Sequence, residues 1–295
     1  MTNLWNQSLD KLKRKLIEPI WHKIYQEKIL AHRLLFCINS GRSGSHYLSK
    51  ILGTAKEVVS YHEQVPSMNG DYLNLINKED YLKTFSKRRY KSHVLKNILL
   101  KLPPQKVYCD TSHMFIKTFF DVIVKDFTNL EVIILRRNLA NVLKSFIELG
   151  YFSPENKNWP LWMSSPNAKT AAIQCIDSDD KLDQYDLSIA YLIDIEARAI
   201  RFKKQYPYLK TYEIRLEAMN QFETIEQLFQ ALNITVTDQT KKIYSQKINQ
   251  RLETKNKYSQ DKIIDLSFCQ ERIDRYLEKA HSLNIPIPPT LPINC

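Results

Sequence analysis

"LLFCINSGRSGSHYLSKIL", Leu34 to Leu52, is the stretch from which the rest of the chain can be read. Its first part, Leu34–Asn39, is an apolar run with the character of a buried strand. A small-residue turn follows, and then an amphipathic helix from Gly44 to Leu52. The whole chain has five glycines, and Gly41 and Gly44 stand three residues apart in this turn. A strand that runs through a glycine turn into a helix makes an anion site. The unpaired N–H groups of the first helical turn point at the ligand, and the helix dipole adds to the attraction. Glycine lets the backbone approach oxygen atoms closely. Arg42 contributes a forked cation, Ser43 and Ser45 contribute hydroxyls, and His46 is one further donor.

Two common phosphate loops are excluded by spacing. The residue five before Gly44 is Asn39, and the residue after Gly44 is Ser45 in place of lysine, so both elements of a Walker loop are missing. The dinucleotide fingerprint GxGxxG is absent as well.

Strand and helix signals alternate outward from the turn. Glu57–Tyr61, Lys106–Asp110, Glu131–Arg137 and "LKTYEIRL" read as strands. Between them lie a polar, basic helical region from Asp71 to Lys101, a helix through "HMFIKTFFDVIVKDF", the helix "LANVLKSFIEL" and a long helix from Asp186 to Gln205. A further helix is expected around "FETIEQLFQAL". Continuous apolar strands between helices predict a three-layer α/β/α domain with a central parallel sheet of about five strands, like the P-loop nucleotide kinases. Residues 1–31 read as a helical arm, broken or kinked at Pro19, and 32–295 as a single domain. The arm's basic face suits packing on the domain or contact with a membrane surface. Residues 151–180 lose the pattern; rich in Pro, Ser and Asn around Trp159 and Trp162, they read as a lid or substrate loop.

A hydrophobic content of 43% rules out a disordered chain. The net charge of +11 favours an anionic partner: nucleic acid, a membrane surface or a small phosphorylated ligand. Five cysteines (Cys37, Cys109, Cys175, Cys269, Cys295) without CxxC spacing point to a reduced compartment with no zinc or other metal site. No apolar run approaches the ~18 residues of a membrane span. Lys11, Lys13, Arg14, Lys15 and Glu18 interrupt any secretory signal. A cytoplasmic protein, peripheral to a membrane if the arm binds one, is the expectation.

At this point "SGRSGSHYL" resembles the 5′-phosphosulfate loop of sulfotransferases that use 3′-phosphoadenosine 5′-phosphosulfate (PAPS), which carry a [KR]SG[ST] core between first strand and first helix. "ILRRNLANVLKSF" resembles the 3′-phosphate motif of that family, an Arg at a strand end and a Ser eight residues later; Arg137 and Ser145 fit, and Asn138 matches a common family residue. "LKTYEIRLEAMNQFETIEQLFQALNI" is similar to the family's "YEDL…FL" segment. The resemblance covers Leu34 to Ile234. It implies a P-loop-like sulfotransferase domain with PAPS as sulfuryl donor, bound by Gly41, Arg42, Ser43, Gly44, Ser45, His46, Arg137 and Ser145. It also implies a hydroxyl or amine acceptor, a small molecule or glycan with carbohydrate or glycolipid favoured, and no nucleic-acid partner. Independently of the family, two separated anion sites at strand-to-helix junctions suit a ligand with a phosphosulfate at one end and a ribose phosphate at the other.

Sulfuryl transfer needs a base for the acceptor's proton and positive charge for the leaving phosphate. Arg42, where many relatives carry lysine, is suited to electrostatic stabilisation and is a poor proton donor. Three residues are candidates for the base. Glu63, in "SYHEQVP" at the end of the second strand, stands where several branches of the family place a catalytic glutamate, and it is favoured. His62 is its neighbour, and His113 follows the third strand in "CDTSHMF". Asp110, Thr111 and Ser112 resemble an acidic-Lys-Thr/Ser segment of the glutamate-base branches without its lysine. Lys255 and Lys257, in the basic tail, resemble late basic loops that fold over the cofactor. The rival readings are a P-loop kinase or phosphotransferase using ATP, and a non-enzymatic basic protein that binds nucleic acid or a membrane surface.

Overall fold

The computed structural model describes residues 18–174, 181–246 and 264–293. Each strand of its sheet ends at a loop on one common edge. Five parallel strands, β1 (Arg33–Ile38), β2 (Val58–Tyr61), β3 (Val107–Asp110), β4 (Leu130–Arg136) and β5 (Lys210–Arg215), lie in the order β2-β3-β1-β4-β5. β1 is central, with Phe36 beside Asp110 of β3 on one side and Ile38 beside Ile134 of β4 on the other. The three-layer α/β/α architecture with a five-stranded parallel sheet is therefore the one the sequence predicts.

Period-2 alternation divides the strand side chains between two cores. Leu34, Phe36, Ile38, Tyr108, Leu130, Val132 and Ile134 face one layer. That layer comprises α1 (Glu18–Leu30), α3 (Asp71–Lys78), α5 (Tyr90–Lys101), α6 (Phe120–Asp126), α7 (Leu139–Glu148), α8 (Gln184–Gln205) and α11 (Leu266–Ser282). Leu35, Cys37, Val107, Cys109, Ile133 and Leu135 face the other, thinner layer of α2 (Ser45–Leu52), α9 (Phe222–Ala231) and α10 (Asp238–Ser245). Strands buried on both faces read as unbroken apolar runs, which is why β1 and β4 are plain in the sequence.

Three segments differ from expectation. The helical region Asp71–Lys101 divides into α3, α4 (Tyr81–Arg88) and α5. The helix after β3 opens with a π turn, Phe115–Phe119, and becomes α-helical only at Phe120. Arg137 lies just beyond β4 instead of inside it. Pro19 lies at the edge of the described part of α1, and the arm before residue 18 lies outside the described residues. No helix among the described residues is long and apolar enough to cross a membrane. Cys37, Cys109 and Cys269 are free and buried; Cys175 and Cys295 lie outside the described residues.

Candidate active site

The crossover from β3 to β4 passes over β1, so the loops after β1 and β4 flank a switch point at the C-terminal edge of the sheet, where open α/β sheets bind ligands. Gly41 (φ +79°), Arg42 (φ +57°) and Gly44 (φ +93°) all have left-handed backbone in the β1–α2 loop. A Cβ on Gly41 would stand 3.3 Å from His113 Nδ1, and one on Gly44 would stand 2.5 Å from Leu216 Cδ1. Asn39 braces the turn: its Oδ1 accepts from the Gly41 N–H (3.0 Å) and the Ser43 hydroxyl (3.4 Å), while its Nδ2 donates to the Thr111 carbonyl (3.2 Å). The Ser43 hydroxyl is thus turned inward, and the side chain is almost wholly buried. Ser45 heads α2, whose first turn carries no acidic residue.

The two anion motifs converge here. Arg137 Nη1 donates to the Arg42 carbonyl (2.9 Å), and Arg42 Nε donates to Ser145 Oγ (3.1 Å). Residues about a hundred positions apart in the chain are thereby brought into one cluster, so the two anion sites, expected to be separated, adjoin across the loops after β1 and β4. Burial and the neighbouring Arg42 charge hold the Arg137 guanidinium below its ordinary value, against the pull of Glu217. Glu217 accepts from the Asn138 N–H (2.9 Å). Asn138 itself caps α7, its Oδ1 accepting from the Asn141 N–H, so its side chain serves the helix end.

The candidate bases sit at the ends of β2 and β3. Glu63 Oε1 lies 3.3 Å from His113 Nε2 and 3.9 Å from His62 Nε2. Its backbone is left-handed (φ +60°), a conformation uncommon for glutamate. Burial pushes the Glu63 carboxyl up, but the hydrogen bond from His113 and the positive charge of Lys117 act against it, and the carboxyl stands below the ordinary range. Thr111 donates its hydroxyl proton to the Ser45 carbonyl (2.9 Å), so it accepts from His62 Nδ1–H (3.0 Å), and neutral His62 keeps its lone pair on Nε2. His46 stacks on His62 with ring centroids 5.2 Å apart; burial, His62 and Lys50 hold its imidazole below the ordinary value. His113 is buried, and its imidazole is driven down to about 4 by burial and by the Lys117 charge.

These groups line one open cleft of about 1500 Å3, large enough for a nucleotide and a second ligand. Gly41, Arg42, Gly44, Ser45, His46, His62, Glu63, His113, Arg137 and Ser145 all reach it; of the residues expected at the site, only Ser43 does not. From the irregular segment, Tyr151 and Trp162 line the cleft. Phe152 and Trp159 instead pack on each other (4.6 Å between centroids) and on the core, so that half of the aromatic content anchors the segment. Lys255 and Lys257 lie outside the described residues. No group of three His, Cys, Asp or Glu side chains among the described residues is placed to hold a metal ion.

Four participants were not visible as such in the sequence. Asn39 carried a faint signal, an Asx residue two before a glycine. Lys117 carried a stronger one, a lone lysine in the apolar run "HMFIKTFF" four residues after His113. Lys91 is buried and donates to the Gln64 (2.7 Å) and Pro66 (3.0 Å) carbonyls and to Asp110 (3.3 Å), clamping the segment after Glu63. Nothing in its basic surroundings marked it out. Tyr191 lay unmarked within a long helix.

No family model matches the chain, and no curated protein matches it. Among solved structures, it is similar to sulfotransferase STF9 from Mycobacterium avium, with a TM-score of 0.46 and 12% identity over 88% of this chain and 80% of that one. It is similar also to the sulfotransferase domain from the curacin biosynthetic pathway, with a TM-score of 0.45 and 15% identity over 87% and 99% of the two chains. A sulfotransferase from Alicyclobacillus acidocaldarius superposes with a TM-score of 0.43 and 9% identity over 84% and 94%. The functional reading of the cleft rests on its own residues.

Proposed function

We propose that the chain is a sulfotransferase that moves a sulfuryl group from PAPS to a hydroxyl or amine acceptor, with a carbohydrate or glycolipid as the acceptor class. The observation that carries this reading is the meeting of Arg42, Arg137 and Ser145 in a cleft that Glu63 also lines. The residues fit a donor with two anionic ends. Two guanidinium groups face the cleft, and the left-handed glycine turn brings the N-terminus of α2 to it. The donor supplies the sulfuryl group: its S–O bond to phosphate breaks as the acceptor atom bonds to sulfur, and the acceptor's proton passes to Glu63.

Each residue's part follows from its chemistry. Arg42 holds negative charge and keeps its own protons. Glu63, depressed below the ordinary carboxylate range, is ionised at neutral pH and ready to accept. Tyr151 and Trp162 offer flat faces on which a sugar or aromatic ring can lie. An ATP-using kinase is less favoured, because the loop lacks the Walker lysine.

Calorimetric titration with the desulfated product, adenosine 3′,5′-bisphosphate, tests the reading. Removing a charge-assisted contact of about 1.5–3 kcal/mol should weaken binding roughly 10- to 150-fold in Arg137→Ala. Affinity unaffected by that substitution would remove the basis for the assignment.

A further inference from the structure

The transfer chemistry above does not use the buried lysine that His113 touches. Lys117, in the π turn after β3, is wholly buried. Its Nζ lies 2.8 Å from His113 Nδ1, 2.7 Å from the Trp162 carbonyl oxygen and 3.1 Å from the Tyr191 hydroxyl. Tyr191 spends its single proton on the Ser40 carbonyl (3.0 Å), so toward Lys117 it accepts. An ammonium has three protons and no lone pair, and here it meets three acceptors. His113 Nδ1 is one of them, which places the ring proton of His113 on Nε2, facing Glu63 Oε1 at 3.3 Å.

We propose that Lys117 is a positioning residue that holds His113 neutral, as the Nε2–H tautomer, so that His113 fixes Glu63 by a hydrogen bond without becoming its cationic partner. The catalytic consequence rests on the sulfotransferase reading; the tautomer does not. An imidazolium beside Glu63 would lower its basicity further and blunt it as an acceptor of protons. A lysine donating into Nδ1 blocks the nitrogen at which the second proton would bind. The same ammonium joins three parts of the cleft: the segment after β3, the Trp162 backbone and, through Tyr191, the Ser40 carbonyl of the β1–α2 loop.

The charges around this row are accounted for on every side. Glu63 is faced by His62, His113, Lys117, His46 and Tyr151. Lys117 is faced by Arg198 and Asp194 of α8 as well as by Glu63. Burial and Arg198 draw the lysine well below its ordinary value, yet the acceptors around it are those of an ammonium, with Glu63 and Asp194 as counter-charges. Trp162 packs against the His113 ring (6.2 Å between centroids, 22° between planes).

Nitrogen-15 NMR of the histidine rings in the full, ligand-free chain tests the proposal, with the His113→Gln spectrum assigning the signal. Wild-type His113 should stay neutral from pH 5.5 to 8, with Nε2 protonated and Nδ1 bare. In Lys117→Met its titration should rise by about one unit or more, since a like charge is removed. Sulfate transfer should fall about tenfold in that variant, with affinity for adenosine 3′,5′-bisphosphate unchanged. A wild-type His113 that is charged at pH 7 or carries Nδ1–H overturns the proposal, and so does an unmoved titration in Lys117→Met. If Lys117→Met does not fold, the wild-type tautomer alone decides. Failure of the sulfotransferase reading would look different: no bisphosphate binding, with the tautomer intact.

Discussion

Gly44→Ala is the substitution whose cost is most directly set by the geometry of the turn. Position 44 has φ +93°, where an L side chain is strained, at about 1–2 kcal/mol for leaving the right-handed regions. The new Cβ would stand 2.5 Å from Leu216 Cδ1, 2.9 Å from Cδ2 and 3.1 Å from Cγ. Leu216 follows β5 directly, and its N–H is held by the Arg136 carbonyl (2.8 Å), so relief must come from rotation of its side chain, which packs on the core and also lines the cleft. Such overpacking costs about 1–3 kcal/mol, giving a total of roughly 2–5 kcal/mol. Urea unfolding should record that loss as a lower midpoint at unchanged slope. Combining the substitution with Leu216→Ala separates the two terms, because it removes the obstacle and leaves the backbone strain. A coupling of about 1–3 kcal/mol is expected from the double-mutant cycle. Gly44→Ala within 0.5 kcal/mol of wild type would refute this account of the turn.

Further predictions concern the groups at the ends of β2 and β3 and the buried Lys91–Asp110 pair. Glu63→Gln should lower sulfate transfer to a mixed acceptor pool by about 10²–10⁴, the usual worth of a general base, with nucleotide affinity within about twofold; unimpaired transfer would reassign the base. Stability should fall on acidification between pH 6.5 and 4. In that window the unfolded chain protonates His113 while the folded chain, with its imidazole at about 4, does not, so protonation favours the unfolded state. The loss from this one group is at most about 3 kcal/mol and should be absent from His113→Gln, as urea midpoints at pH 7 and 4.5 would reveal. Lys91→Met should destabilise the fold by about 3–5 kcal/mol, because it leaves the buried Asp110 carboxylate unpaired. Lys91→Met with Asp110→Asn should recover part of that, and a single variant as stable as wild type would show that the clamp contributes nothing.

The sheet was legible because β1 and β4 are buried on both faces and carry no alternation to confuse them with surface strands. The anion loop was legible because its glycines are needed: both adopt positive φ and both face an obstacle to a Cβ. Arg137 and Ser145 could be picked out only through a family spacing. Nothing in the composition of "RRNLANVLKSF" says that the arginine will meet the backbone of Arg42 ninety-five residues earlier. Lys91 and Lys117 were hidden for a different reason. Buried lysines are rare, so a lysine in a sequence is read as a surface charge unless a fold brings it acceptors. Here those acceptors come from the Gln64, Pro66 and Trp162 carbonyls, at sequence distances that no local pattern spans. Ser43 illustrates the converse. Its place in the loop suggests a ligand contact, while its hydroxyl is taken by Asn39, leaving the backbone N–H as the group it can offer.

As proposed, the cleft recognises both ends of a 3′-phosphorylated phosphosulfate nucleotide. Side-by-side calorimetry of the wild-type chain with adenosine 3′,5′-bisphosphate, adenosine 5′-phosphosulfate and ATP tests it most directly. The bisphosphate should bind at least tenfold more tightly than either of the others, since only it engages Arg137 as well as the β1–α2 loop. Equal or tighter binding of ATP, or no binding of the bisphosphate at all, would contradict it.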